Sequence, residues 1–390
     1  MFTGLKEEKK VEYLELIYDL IFVYNLGRNN MLLTGVENGF VAWESFAAYI
    51  LSSLAVIQIW NFSTFYMNRF GRNGVRDHVW IIINMYLLYY MGQGTSMSWA
   101  DFRTRYHVAW ALILINIAIQ YILEMRNQRG DEDLEKAIRN MVIVLFGEAA
   151  IVLLAIPVED AMGFPVCTML AIVFGIFLVW LLPTPEDANL VDFRHLTERA
   201  MLYVVFTFGE MIIALAGYFE GSFNVSTAYF SLMGFLIVVG LFLSYEMFYN
   251  RIVDKNLLTS GREYMLIHVF LVFGMNNLTN ALEFMREEEM SLLPKTIFLI
   301  SSFLLFYLCL FALFRYAKRQ MRLRRELFLL AGALSVIFAA GMLLLREQML
   351  FNIAFSVVYV GSMFFLIFRF GRLGNRTRKA LRNAENVENR

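Results

Sequence analysis

The sequence predicts an all-α, polytopic membrane protein of about twelve transmembrane helices, and three observations carry that prediction. The 390 residues are 59% hydrophobic and only 17% charged, with a mean hydropathy of +0.55, whereas soluble domains lie nearer a quarter charged. Twelve segments are mainly apolar over roughly 20 residues, the length that spans hydrocarbon at about 1.5 Å per residue. The basic residues gather at alternate segment ends, as the positive-inside bias requires.

In chain order, segment 12–34 follows Lys6, Lys9 and Lys10, and segment 41–66 leads to Arg69, Arg72 and Arg76. Segments 77–98 and 105–125 turn at Arg103 and Arg105 and return to Arg126, Arg129, Lys136 and Arg139. Segments 137–156 and 161–182 return to Arg194 and Arg199, and 197–217 and 226–249 to Arg251, Lys255 and Arg262. Segments 263–283 and 294–314 turn at Arg286 and Lys295 and reach the basic run 315–326. Segments 326–345 and 348–368 turn at Arg346 and end in a polar, basic tail. With the N-terminus inside, inner stretches hold 28 of the 34 basic residues and outer ones 5, Arg28 alone lying within a span. Both termini are therefore expected in the cytoplasm. All five prolines (Pro157, Pro165, Pro183, Pro185 and Pro294) fall between or at the ends of these segments, as helices without internal breaks require. The opening MFTGLKEEKK lacks an apolar core and cleavage site, so no cleaved signal peptide is expected. Cys167 and Cys309 lie in apolar runs without redox or metal spacing and read as small hydrophobes.

Twelve spans invite a search for halves. Asn68-Arg69 parallels Asn250-Arg251, Arg76-Asp77 parallels Arg262-Glu263, and Glu15 parallels Glu198, at offsets of 182, 186 and 183. The expected organisation is two parallel six-helix halves, 1–183 and 184–369, with a cytoplasmic tail 370–390. The alternative is that helix ends facing the cytoplasm simply favour Asn-Arg.

Acids in these spans are costly, about 3 kcal/mol each at the bilayer centre if ionised. Glu12, Glu15 and Asp19 share one face of the first helix, with Asp19 roughly 12 Å deep. Glu148 lies about 18 Å along the fifth helix and Glu210 about 21 Å along the seventh. His268 lies in the ninth helix, which also carries Asn276, Asn277 and Asn280. One reading makes Glu15, Asp19, Glu148, Glu210 and His268 a pathway that binds a proton, cation or substrate. The other makes the acids buried ion pairs that fix helix packing, with Glu198, Arg199 and Arg28 as candidate members. Phe146-Gly147-Glu148 and Phe208-Gly209-Glu210 repeat a triplet whose glycine lets a neighbouring helix approach the acid. The last three helices, nearly devoid of polar residues, read as lipid-facing scaffold. Trp43, Trp60, Trp80, Trp99 and Trp180 read as interface anchors. The basic run and tail set topology or bind anionic lipid heads.

At LELIYDLIFVY and HLTERAMLYVVFTFGEMIIALAG the sequence resembles the bacterial low-temperature-requirement A (LtrA) family. That family opens with an ELFFDLVFVF-like helix and carries a later ER…LGE element. Leu14, Glu15, Leu16, Asp19, Leu20, Phe22 and Val23 match the first, and Glu198, Arg199, Gly209 and Glu210 the second. The resemblance covers residues 10 to 370; NLGRNN stands where the family often has Gln and His. It implies a multi-pass bacterial inner-membrane protein tied by name to growth in the cold, and supplies no substrate.

Three classes of function follow. A secondary transporter or permease would use the acids of helices one, five and seven. A scaffold or sensor affecting envelope properties would use them only to pack. An enzyme is not expected, since no HExxH, GxSxG or metal-spaced cluster occurs. Expected partners are membrane lipids and a small solute or ion, with no nucleic acid, cofactor or metal; the oligomeric state is open.

Overall fold

The computed structural model describes residues 9–93, 95, 99–127, 130–162, 164–182, 191–219, 224–321 and 325–388, without the side chains of 99, 100, 180 and 372–388. Lys6, Arg129, Pro183, Pro185, Arg322 and Arg324 lie outside these residues, as do the side chains of Trp99, Trp180 and the tail beyond Gly371.

Twelve α-helices fall on the twelve expected segments. They are α1 (Tyr13–Asn29), α2 (Trp43–Phe70), α3 (Val75–Gln93), α4 (Trp99–Asn127), α5 (Glu132–Met162) and α6 (Val166–Leu181), then α7 (Phe193–Ala214), α8 (Val225–Met247), α9 (Arg262–Phe284), α10 (Leu292–Ala312), α11 (Arg325–Leu344) and α12 (Met349–Glu388). Among the described residues nine of them are long and apolar enough to cross a membrane; α1, α3 and α6 are the exceptions. Between α1 and α2 the chain forms a small hairpin, Val36–Glu37 against Phe40–Val41. Its turn residues Asn38 and Gly39 both have positive φ, 52° and 84°, the type I′ geometry that an Asn-Gly pair favours.

The prolines need one correction. Pro157 lies inside α5, which continues to Met162. A proline removes the hydrogen bond its own N–H would make and crowds the carbonyl four residues back; beyond it Glu159 accepts the Thr168 N–H at 2.8 Å, tying the last turn of α5 to the start of α6. Pro165 precedes α6 and Pro294 stands in the first turn of α10, where an N–H has no helical partner.

The chain divides into two compact units: residues 1–206 with 258–269, and residues 207–257 with 270–390. In the first, α1 packs on α2 and α3, α2 on α4 and α6, and α4 on α5, which packs on α6. In the second, α8 packs on α12, α10 on α11 and α11 on α12. Here α10 departs from its expected lipid-facing role: 67% of its apolar window is buried, against 22% for α11. Phe303 contributes to the burial of α10, sitting edge-on against Phe338 of α11 and Tyr359 of α12, at 5.4 and 6.0 Å.

Candidate functional site

The first helix presents Glu15 and Asp19 four residues apart, hence on one face, and α7 presents His195 and Arg199 at the same spacing. The two faces meet as a two-rung ladder. His195 Nε2 lies 3.2 Å from Glu15 Oε2. Arg199 donates twice to Asp19, from NH2 to Oδ1 at 2.8 Å and from Nε to Oδ2 at 3.3 Å. Asp19 and Arg199 have no exposed surface. Such a pair must recover a large desolvation cost through geometry and further hydrogen bonds. The site supplies them: Trp60 Nε1 donates to Asp19 Oδ1 at 2.9 Å, and Arg199 NH1 reaches Met67 Sδ at 3.3 Å. The indole stacks on Tyr203 of α7, ring centres 4.4 Å apart. Trp60 is thus a buried hydrogen-bond donor and not an interface anchor; an indole N–H deep in a protein needs an acceptor, and Asp19 is it.

The start of α7 fixes the ladder's other rung. Asp192 accepts the His195 N–H at 3.0 Å, capping the helix. Asn68 accepts the Asp192 N–H at 3.1 Å and donates to the Asp192 carbonyl at 2.8 Å, so its amide orientation is set. Its NH2 therefore faces His195 Nδ1, 3.0 Å away. That nitrogen must accept, which leaves Nε2 carrying the hydrogen that Glu15 receives.

A cavity of about 390 Å³ opens beside this ladder, lined by Lys9, Glu12, Glu15, Met67, Arg72 and Asp77 among others. It reaches Glu15 and Met67, while Asp19 lies behind them and does not line it. Lys9 closes one side: its ammonium donates to the carbonyls of Met67, Asn68 and Gly71 at the end of α2. Burial holds that ammonium below the usual lysine range.

Glu148 occupies a different junction, where α2, α5 and α6 meet. It has no exposed surface. Gln58 Nε2 donates to its Oε2 at 3.3 Å, and its Oε1 has no hydrogen-bond partner among the described residues. Gly175 of α6 makes the space, since a Cβ there would overlap both Glu148 Oε2 and Gln58 Nε2. The preceding Gly147 admits Phe174, 2.8 Å from where its Cβ would stand, but nothing lies within 4 Å of the same point at Gly209. The triplet's glycine thus admits a neighbour at the first site only.

Comparison with protein families decides the affiliation: the profile described as Bacterial low temperature requirement A protein (LtrA) matches residues 10–371. The chain belongs to the LtrA family. It is accordingly a multi-pass helical membrane protein, and comparison with curated proteins gives no match.

In this LtrA chain both family motifs contribute to one ladder, Glu15 and Asp19 from the first and Arg199 from the second. Glu198 is half-buried beside them and has no ion-pair partner among the described residues. Arg28 donates to the carbonyls of Gly92 and Thr95, at 3.2 and 3.4 Å, in place of a carboxylate. Glu210 lies in the second unit, half-buried on α7. His268 is fully buried, its Nδ1 2.8 Å from the Tyr264 carbonyl and its ring 4.3 Å from that tyrosine's. Among the described residues no group of three His, Cys, Asp or Glu side chains is placed to hold a metal. The sequence did not mark Gln58 or His195 as site residues, and it gave Trp60 the different role of an interface anchor. A complementary signal existed for His195, because an acid pair at four-residue spacing on one span matched a His/Arg pair at the same spacing on another.

Proposed function

We propose that this protein is a secondary transporter or permease of the bacterial inner membrane, with no enzymatic role, in which Glu148 binds the proton or cation. One observation carries the reading: Glu148 is wholly buried, has a neutral amide as its hydrogen-bond partner, and keeps one oxygen free among the described residues. An isolated carboxylate in such a place costs several kcal/mol, so this position suits a group that takes up a proton or meets a cation. Glu15, at the wall of the 390 Å³ cavity, is the acid a solute or ion meets on entry. Asp19 is excluded from exchange by its saturation with Arg199 and Trp60. Glu210 and His268 remain the pathway's candidates in the second unit and at the start of α9.

The topology belongs to the same proposal: twelve spans in two parallel six-helix halves, both termini cytoplasmic. The support for the duplication is the set of sequence matches at offsets of 182, 186 and 183. The competing reading, a scaffold or sensor of envelope properties, draws its support from the same Asp19–Arg199 pair, which is what a purely structural core would contain. Proton flux into liposomes holding the purified protein separates the two. Glu148→Gln should insert and fold normally and lose the flux that the wild type shows. Absence of flux in wild type under every imposed gradient, or full flux in Glu148→Gln, would sink the transport reading.

A further inference from the structure

A second buried acid lies on α5, eleven residues beyond Glu148 and so on nearly the same side of the helix, about three turns further along. Glu159 is 1% exposed. Its Oε1 receives the Thr168 N–H at 2.8 Å and lies 2.8 Å from the Thr168 hydroxyl. Its Oε2 has no hydrogen-bond partner among the described residues. The same hydroxyl is 2.7 Å from His107 Nε2, and His107 Nδ1 is 2.7 Å from the Arg103 carbonyl. His107 and Thr168 have no exposed surface. Three helices, α4, α5 and α6, thus bring an imidazole, a hydroxyl and a carboxyl into one line.

Counting hydrogens fixes the state of this line. A carbonyl only accepts, so the Arg103 contact places a hydrogen on His107 Nδ1. The contact from Nε2 to the hydroxyl needs a second hydrogen, and the contact from hydroxyl to carboxyl a third. A neutral histidine supplies one and threonine one. With all three contacts hydrogen-bonded, the third resides at an end of the line, on the Glu159 carboxyl or on His107 Nε2. In the first state Glu159 donates to Thr168 and Thr168 donates to a neutral imidazole. In the second an imidazolium donates to Thr168 and Thr168 donates to a carboxylate. They interconvert when the carboxyl hydrogen moves to the threonine oxygen while the hydroxyl hydrogen moves to Nε2, conserving charge and atoms.

We propose that His107, Thr168 and Glu159 form a proton-holding relay in which one proton is shared between the acid and the imidazole through the threonine hydroxyl. The relay's place in a transport path rests on the function proposed above; the shared proton does not. The charged groups facing it are Arg103 of α4 and Asp160 of α5, which pair with each other; α6 adds the Cys167 thiol beside Thr168. The duller assignment for Glu159 is a permanently ionised cap on the N-terminus of α6, beside a neutral His107.

Infrared spectra of the carboxyl stretch and side-chain nitrogen NMR of histidine test this on the purified full-length protein. Wild type should show a protonated carboxyl and an imidazolium that exchange, one signal growing as the other falls with temperature. Glu159→Gln should remove the carboxyl band and fix His107 in the neutral state. Thr168→Val should abolish the exchange, and Thr168→Ser should restore it. A Glu159 that stays ionised beside a neutral His107, or exchange that survives Thr168→Val, would overturn the relay. If Thr168→Val does not fold, the Glu159→Gln spectrum decides alone. Loss of liposome proton flux as a property of the wild type would end the transport reading and leave these spectra unaffected.

Discussion

Asp19 and Glu148 have the same burial and opposite surroundings. Asp19 accepts from Trp60 and from two guanidinium nitrogens, whereas Glu148 has one amide and an oxygen to spare. Removing one member of a buried pair leaves the other charge stranded, at about 3–5 kcal/mol. Arg199→Met should therefore lower the thermal unfolding midpoint in detergent steeply, and Asp19→Leu added to it should recover part of the loss, because no charge is then stranded although the Trp60 N–H loses its acceptor. Equal melting of the single variant and wild type would show that the ladder carries no structural weight. The acids themselves were legible in the sequence, since a carboxylate inside a 20-residue apolar run stands out. Which of them is paired was not, because the partners lie 41 to 180 residues away and Trp60 is one tryptophan among six.

At the scale of elements, local pattern sufficed and packing did not. Each helix was visible as an apolar stretch of the right length, and Pro157 was misplaced because a helix can absorb one missing N–H. The approach of α6 to α2 and α5 left no mark that sequence alone could rank: Gly175 is one of 24 glycines, and only the proximity of Glu148 and Gln58 gives it meaning. A Cβ there collides with two polar heads that have nowhere else to go. Gly175→Ala should cost about 1–3 kcal/mol, the usual range for overpacking, read as a lower melting midpoint. In a Glu148→Ala background the same substitution should cost less, since the obstructing carboxyl is gone. Additive costs in the double variant would place the strain elsewhere.

For the whole molecule, the open quantity is the number of crossings. Twelve helices are present among the described residues; nine of them are long and apolar enough to cross a membrane, and α1, α3 and α6 are shorter or more polar. The two counts differ in parity. Nine crossings put the termini on opposite sides of the membrane and twelve put them on the same side. The charge distribution argues for twelve, because 28 of 34 basic residues then fall on one side; removing α3 or α6 alone reverses every later loop and erodes that bias. The ladder argues the same way, since α1 holds two acids whose partners lie in α7, a helix of full spanning length, and a helix lying outside the membrane would not bury its acids against one inside. Reporter fusions that are active only in the cytoplasm should therefore be active at both termini and after residue 127, and inactive after residue 162. Activity at one terminus only would remove an odd number of helices from the membrane, with α1, α3 and α6 the first to examine.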